Sequence, residues 1–160
     1  MDAKEALRIS MNMGNYVATA YLEDLSDADL LHRPAPGCNH INWQLGHLIA
    51  SSGHHMSKIS PAAVMPLPAG FAEKYSAATS GVDDPARLCS KAELADLFRR
   101  QHEHALKVLA ELPDSELDRN SGLEYAPTVA SLLSMEGSHV LMHAGQWAVI
   151  RRQLGRKPLF

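Results

Sequence analysis

The chain has 160 residues, of which 46% are hydrophobic and 21% charged, with a formal net charge of −3 at neutral pH. That suits one globular domain over residues 1–160, with no internal repeat or low-complexity tract. No block of Lys or Arg exceeds two residues and no apolar run approaches the ~18 residues of a membrane span, so neither nucleic acid nor a membrane is an expected partner. Cys38 and Cys89 are too few for a disulfide framework, and the N-terminus MDAKEALRIS lacks a signal peptide's apolar centre. A reduced, cytoplasmic setting is therefore expected.

Four helical segments follow in order, and no convincing alternating strand. The first runs from about Asp2 to Leu25, with Leu7, Met11, Ala18, Leu22 and Leu25 at helical spacing. It stops at LSDADLLHRPAPG, where Ser26 can cap one short extra turn and Pro34, Pro36 and Gly37 break the chain. The second, INWQLGHLIASSGHHMSKI, takes Asn39 as its cap and ends before Pro61. Residues 61–89 hold four prolines and two glycines without periodicity, which predicts a long loop that could permit a crossover. Ser90 and Glu93 form a capping-box pattern that opens the third helix, which continues to about Leu112. After a linker from Pro113 to Ala126, the fourth helix starts near Pro127 and ends at Gly155, behind basic Arg151 and Arg152. The expected fold is all-α, a four-helix bundle with a long loop between helices two and three.

On a wheel of about 100° per residue, Leu132, Glu136, His139, His143, Gln146, Ile150 and Leu154 of the fourth helix share one narrow stripe. Its ends are apolar and its middle is polar. A solvent-facing stripe has no reason to end in Leu and Ile. A core stripe holding four unpaired polar side chains would cost roughly 1–3 kcal/mol for each. A metal ion or a wet polar cavity resolves the conflict. Side chains four apart stand about 6 Å apart at Cβ, so His139 and His143 can converge on one ion. The competing reading is a hydrogen-bonded histidine pair lining a wet core. HVLMH lacks the Glu of a zinc-protease motif, so that mechanism is not expected.

A third ligand must come from another helix. On helix two the main apolar face is Ile41, Leu45, Leu48, Met56 and Ile59, while His47 lies on a separate stripe with Trp43, Ala50 and His54. On helix three His102 shares a face with Phe98, Ala105 and Leu109. Periodicity leaves His47, His54 and His102 as alternatives, and places His32, His40, His55 and His104 at the surface. Tyr16, Trp43 and Trp147 read as core.

The stretch NHINWQLGHLIASSGHHM resembles the helix-two signature of the DinB-like superfamily (damage-inducible DinB or DUF664-type proteins), in which N-x-I-x-W-x-x-G-H-L is common. HVLMHAGQ resembles its helix-four signature H-x-x-x-H-x-G-Q, with Ala144 where the family often carries a polar residue. The resemblance extends over nearly the whole chain. It implies a four-helix bundle binding one divalent ion through three histidines, here His47, His139 and His143. Characterised relatives include S-transferases that use low-molecular-weight thiols such as bacillithiol, and a mycothiol-dependent maleylpyruvate isomerase.

Three neutral imidazoles leave a coordination position open, as in catalytic rather than structural sites, and they do not discriminate among Zn²⁺, Ni²⁺ and Fe²⁺. A low-molecular-weight thiol is the expected second cofactor. Glu136, one turn before His139, is expected to accept an imidazole proton or act as general base, and Gln146 to orient a water or substrate. His54 is expected to line the pocket mouth. Neither cysteine is expected to take part. The reading is a metal-dependent S-transferase acting on a small electrophile; the alternative is a non-catalytic metal-binding or stress-response bundle. The expected partners are a small-molecule substrate and, at most, a second copy of the chain as a homodimer.

Overall fold

The computed structural model describes residues 1–160. Its long helices are α1 (Ala3–Glu23), α2 (Ile41–Ile59), α4 (Lys91–Glu111) and α5 (Val129–Gln153), with a single turn α3 (Phe71–Lys74) in the connection before α4. A two-stranded antiparallel sheet, β1 (Asn120–Leu123) and β2 (Ala126–Thr128), precedes α5. The fold is thus mostly helical but not all-α. The hairpin escaped prediction because strands of four and three residues are too short to display a period of two. It is fixed instead by Gly122 at φ +80° and by the Ser121 hydroxyl, which donates to the Ala126 carbonyl. No helix is long and apolar enough to cross a membrane.

Local chemistry sets the helix ends. Asp2 accepts from the Glu5 amide at 2.8 Å to start α1, and Ser90 with Glu93 forms the expected reciprocal cap of α4. Ser26 and Asp29 cap the short turn Asp29–Leu31 in the same reciprocal way. Two expectations are corrected. The cap of α2 is His40 rather than Asn39: its Nδ1 accepts from the Trp43 amide at 3.1 Å and its Nε2 donates to the Val82 carbonyl at 2.9 Å. Helix α5 starts at Val129, because Thr128 and Ser131 form the capping box and Pro127 lies in β2.

The order of contacts along the helices gives the topology. Ser10 and Gly14 of α1 meet Gly137 of α5, while Arg151 further along α5 bonds the Tyr21 carbonyl further along α1, so these two run parallel. Gln44 meets His143, whereas Ser52 meets Glu136, so α2 and α5 run antiparallel. Asn42 bonds the Cys89 carbonyl just before α4, and Ser52 bonds Gln101 within it, making α2 and α4 parallel. Residues 61–89 therefore form a crossover that returns the chain along the molecule. This connection is more than a loop: Met65, Phe71, Tyr75 and Leu88 are buried.

Two apolar clusters fill the interior. One gathers Ile41, Leu45, Leu94, Phe98, Trp147 and Ile150; the other gathers Met11, Met56, Ala105, Leu109, Leu132 and Leu133. Between them, every long helix contributes polar side chains at one level: Asn12 and Asn15, Ser52 and His55, Gln101 and His102, Glu136 and His139. Two glycines permit the close approaches. A Cβ on Gly137 would stand 2.4 Å from the Ser10 carbonyl oxygen, and one on Gly46 would fall 2.2 Å from the Tyr75 ring.

Gly137→Ala should therefore destabilise the protein by about 1–3 kcal/mol through overpacking against backbone that cannot yield. Gly145→Ala, where an added Cβ meets nothing within 4 Å, should instead stabilise by up to about 1 kcal/mol. Chemical denaturation of both variants checks the pair. Equal effects would show that α1 and α5 do not touch here.

Candidate metal centre

Capping by His40 fixes where α2 begins and hence the rotation that turns His47 toward α5. There, ligand-capable atoms of His47, His139 and His143 all lie within 4.8 Å of one another. The Nε2 atoms of His139 and His143 are 3.2 Å apart. Two imidazole nitrogens sharing a tetrahedral ion at ~2.05 Å would be separated by about 3.3 Å, so this pair fits a divalent ion without rearrangement. The His47 ring stands edge-on to both others, with centroids 5.4 and 5.6 Å away. Trp43 stacks on His47 at 5.0 Å with an interplanar angle of 6°, so this indole braces a ligand candidate besides filling core.

Burial makes all three imidazoles poor proton acceptors. It is the largest cause depressing His139 and His143 to about 4, and neighbouring imidazoles push further the same way. His47 is lowered too, first by burial and then by His55. At neutral pH the cluster is therefore three uncharged donors, the form in which histidine ligates.

His143 is held from behind by Gln44. The Gln44 Oε1 lies 2.8 Å from His143 Nδ1 and 3.0 Å from Trp147 Nε1, and its Nε2 donates to the Asn39 carbonyl at 2.7 Å. All three side chains are buried. Sequence reasoning missed Gln44 because one polar residue in an apolar helix gives no periodic signal. Its place three residues after Ile41 and four before Leu48, both on the apolar face, was the only available sign.

Glu136 is not a solvated edge residue. Its side chain is 9% exposed; Ser52 Oγ donates to Oε2 at 2.5 Å, and His55 Nδ1 lies 3.4 Å from Oε1. Gln101 Nε2 donates in turn to Ser52 Oγ at 2.8 Å. The imidazole that Glu136 faces is thus that of His55, whose ring centroid is 6.3 Å from that of His139. A cavity of about 20 Å³ lies among Asn15, Gln101, His102, Glu136 and His139, enough for one water. The buried Gln101 Oε1, which has no protein partner, belongs to its lining.

The remaining candidates fall elsewhere. His54 is exposed, and the neighbour that lines the cavity is His55, whose expected surface position is corrected to a buried one, as is that of His40. Both corrections share a cause: α2 is covered on nearly every side, by α4, α5 and the crossover, so its buried arc exceeds an amphipathic stripe. His102 is half-buried and 3.0 Å from Asn12 Oδ1. Gln146 shares the stripe one turn beyond His143 but is exposed. Tyr16, expected in the core, is 60% exposed and faces Phe160. Cys38 and Cys89 are unpaired and outside the cluster.

A family model describing the DinB superfamily matches residues 16–147, which takes in all three histidines. The chain belongs to the DinB superfamily. Among solved structures this DinB-superfamily protein resembles a conserved protein of Enterococcus faecalis known from its crystal structure. The two are 16% identical, with a TM-score of 0.73 over 98% of this chain and 99% of that one. That likeness concerns the fold. No protein of curated function matches the chain.

The depressed histidines give the DinB-superfamily chain a pH dependence of stability. Their folded values of about 4 lie below the unfolded 6.5, so the unfolded state binds more protons between these limits. Chelator-treated protein should lose stability as pH falls from about 6.5 toward 4, with no further contribution from this pair below that. Denaturation midpoints at pH 7.5, 6 and 5 should show a shallower slope for His143→Gln. A slope equal to wild type would remove burial of this imidazole as the cause.

Proposed function

We propose that this chain is a metal-dependent enzyme built on a four-helix bundle, in which His47, His139 and His143 hold one divalent ion and leave a coordination position to a small molecule. The observation that carries this is the convergence of three neutral, largely buried imidazoles drawn from two helices. Such a set cannot close a four-coordinate structural site by itself. The finer reading is an S-transferase that joins a low-molecular-weight thiol to a small electrophile, and its support is the resemblance of the two helix signatures to those of thiol-using members of the superfamily.

A divalent ion in this position would supply a Lewis acid that favours the thiolate over the thiol near neutral pH. The protein's own residues supply the rest. Gln44 and Trp43 hold His143 and His47 in place. Glu136, fixed by Ser52, provides a buried negative charge beside the cluster and orients His55 through Oε1. The thiolate sulfur would form its bond to the electrophilic carbon as the leaving group departs with its bonding electrons, and the thiol proton would pass to solvent. His54 and Gln146, both exposed, are the residues we assign to contact with substrate at the rim. Zn²⁺, Ni²⁺ and Fe²⁺ all suit the donor set.

Protein purified without chelator should carry one equivalent of divalent metal, and loading should raise the unfolding temperature by mass action. His143→Ala should lose most of that rise. Retention of the full rise, or less than a tenth of an equivalent after reconstitution with Zn²⁺ or Ni²⁺, would reject the ligand set.

For activity, metal-loaded and stripped protein should be compared with bacillithiol, mycothiol, glutathione, coenzyme A and cysteine against a model electrophile. At least one thiol should react only with loaded protein, the rate should disappear in His47→Ala, and it should survive Cys38→Ala and Cys89→Ala. Equal rates from both preparations across the panel would leave a non-catalytic metal-binding bundle.

A further inference from the structure

Three buried side chains determine where a proton sits in the cluster. The Trp147 indole N–H is a donor with no acceptor capacity, so the Gln44 atom it meets at 3.0 Å must be an oxygen. The other end of that amide agrees, since Nε2 donates to the Asn39 carbonyl at 2.7 Å. The Gln44 amide is thus oriented by chemistry at both ends. Its oxygen, an acceptor only, also lies 2.8 Å from His143 Nδ1. An acceptor facing a ring nitrogen at that distance requires a hydrogen on the nitrogen. A neutral imidazole carries one N–H, so His143 must present a bare lone pair at Nε2, the atom 3.2 Å from His139 Nε2.

We propose that Gln44, oriented by Trp147, is a positioning residue that locks His143 in the Nδ1–H form, and that His139 is the ligand whose proton must relocate when a divalent ion is taken up. The second half follows from the first. Two bare nitrogens at 3.2 Å would repel, so in the metal-free protein His139 donates Nε2–H to His143. An ion bound to both Nε2 atoms needs the His139 proton on Nδ1 instead. No proton is gained or lost overall, and His143 keeps its form throughout. The arrangement assigns different tasks to two histidines that look equivalent in the sequence: His143 is preset and His139 adapts. This deepens the proposed function and rests on it only for the step involving the ion; the lock itself concerns metal-free protein.

The test reads the lock directly. Two-bond ¹⁵N–¹H correlation of the imidazoles in metal-free wild type near neutral pH should show His143 as Nδ1–H and His139 as Nε2–H. With one equivalent of Zn²⁺, His139 should change to Nδ1–H while His143 does not. A metal-free His143 in the Nε2–H form, or in a mixture of both, overturns the proposal whatever the protein binds.

Trp147→Phe frees the amide to turn and should give a mixed His143 population. Gln44→Met keeps the volume but removes the acceptor. It should weaken Co²⁺ binding roughly ten- to hundredfold and alter the visible spectrum of the Co²⁺ form, with helical content unchanged. Wild-type affinity and spectrum in a folded Gln44→Met protein also overturn the proposal. Should wild type show the Nδ1–H form yet bind neither Zn²⁺ nor Co²⁺, the lock stands and the metal-dependent function falls.

Discussion

A layer of polar side chains crossing the whole interior is the constraint on which the rest of this molecule depends. Little water reaches these groups, so most must find a protein partner or forfeit hydrogen-bond energy. The layer meets that demand across helices: Ser52 joins Gln101 to Glu136, Glu136 faces His55, and His102 reaches Asn12. All four long helices must stand in one rotation and height for these bonds to form together. Apolar clusters on either side supply the area-dependent driving force. The polar level supplies the register that non-directional burial leaves open. The histidine cluster adjoins this level through His139.

The layer also explains why the cluster can hold three imidazoles uncharged. Each is desolvated by the fold before any ligand arrives, and the cost is met by packing elsewhere in the helices. Preset donors bind with less reorganisation than flexible surface histidines. The nearest buried carboxylate, Glu136, is directed at Ser52 and His55 and stands outside the cluster of three imidazoles.

Much of this was legible in the sequence because it is written in helical periodicity. The break between apolar and polar residues along Leu132, Glu136, His139, His143 and Ile150 announced a buried polar stretch, and the capping box at Ser90 announced where α4 begins. His47 could not be separated from His54 and His102 on spacing alone, since facing helices choose their partners by packing. His55 and His40 were misjudged because α2 is enclosed nearly all round, a condition produced by the crossover and invisible from α2 itself. Gln44 had no periodic signature because its role is defined by Trp147 and Asn39, residues that only the fold brings to it. The hairpin depends on a hydroxyl and a left-handed glycine, which act on too few residues to leave a pattern.

The notch at Gly46 makes one position on α2 answerable for the path of the crossover. Tyr75 fills it, its hydroxyl accepting from the Cys89 amide and donating to Asn42, so the crossover is moored beside His47 at one aromatic ring and released again before α4. Between the end of α2 and that ring the chain adds Ala63, Met65 and Phe71 to the interior. Any larger side chain at Gly46 would displace that ring and with it the bonds to Asn42 and Cys89 that lead the chain into α4, so one absent methyl group on α2 sets the path of a segment nearly thirty residues away.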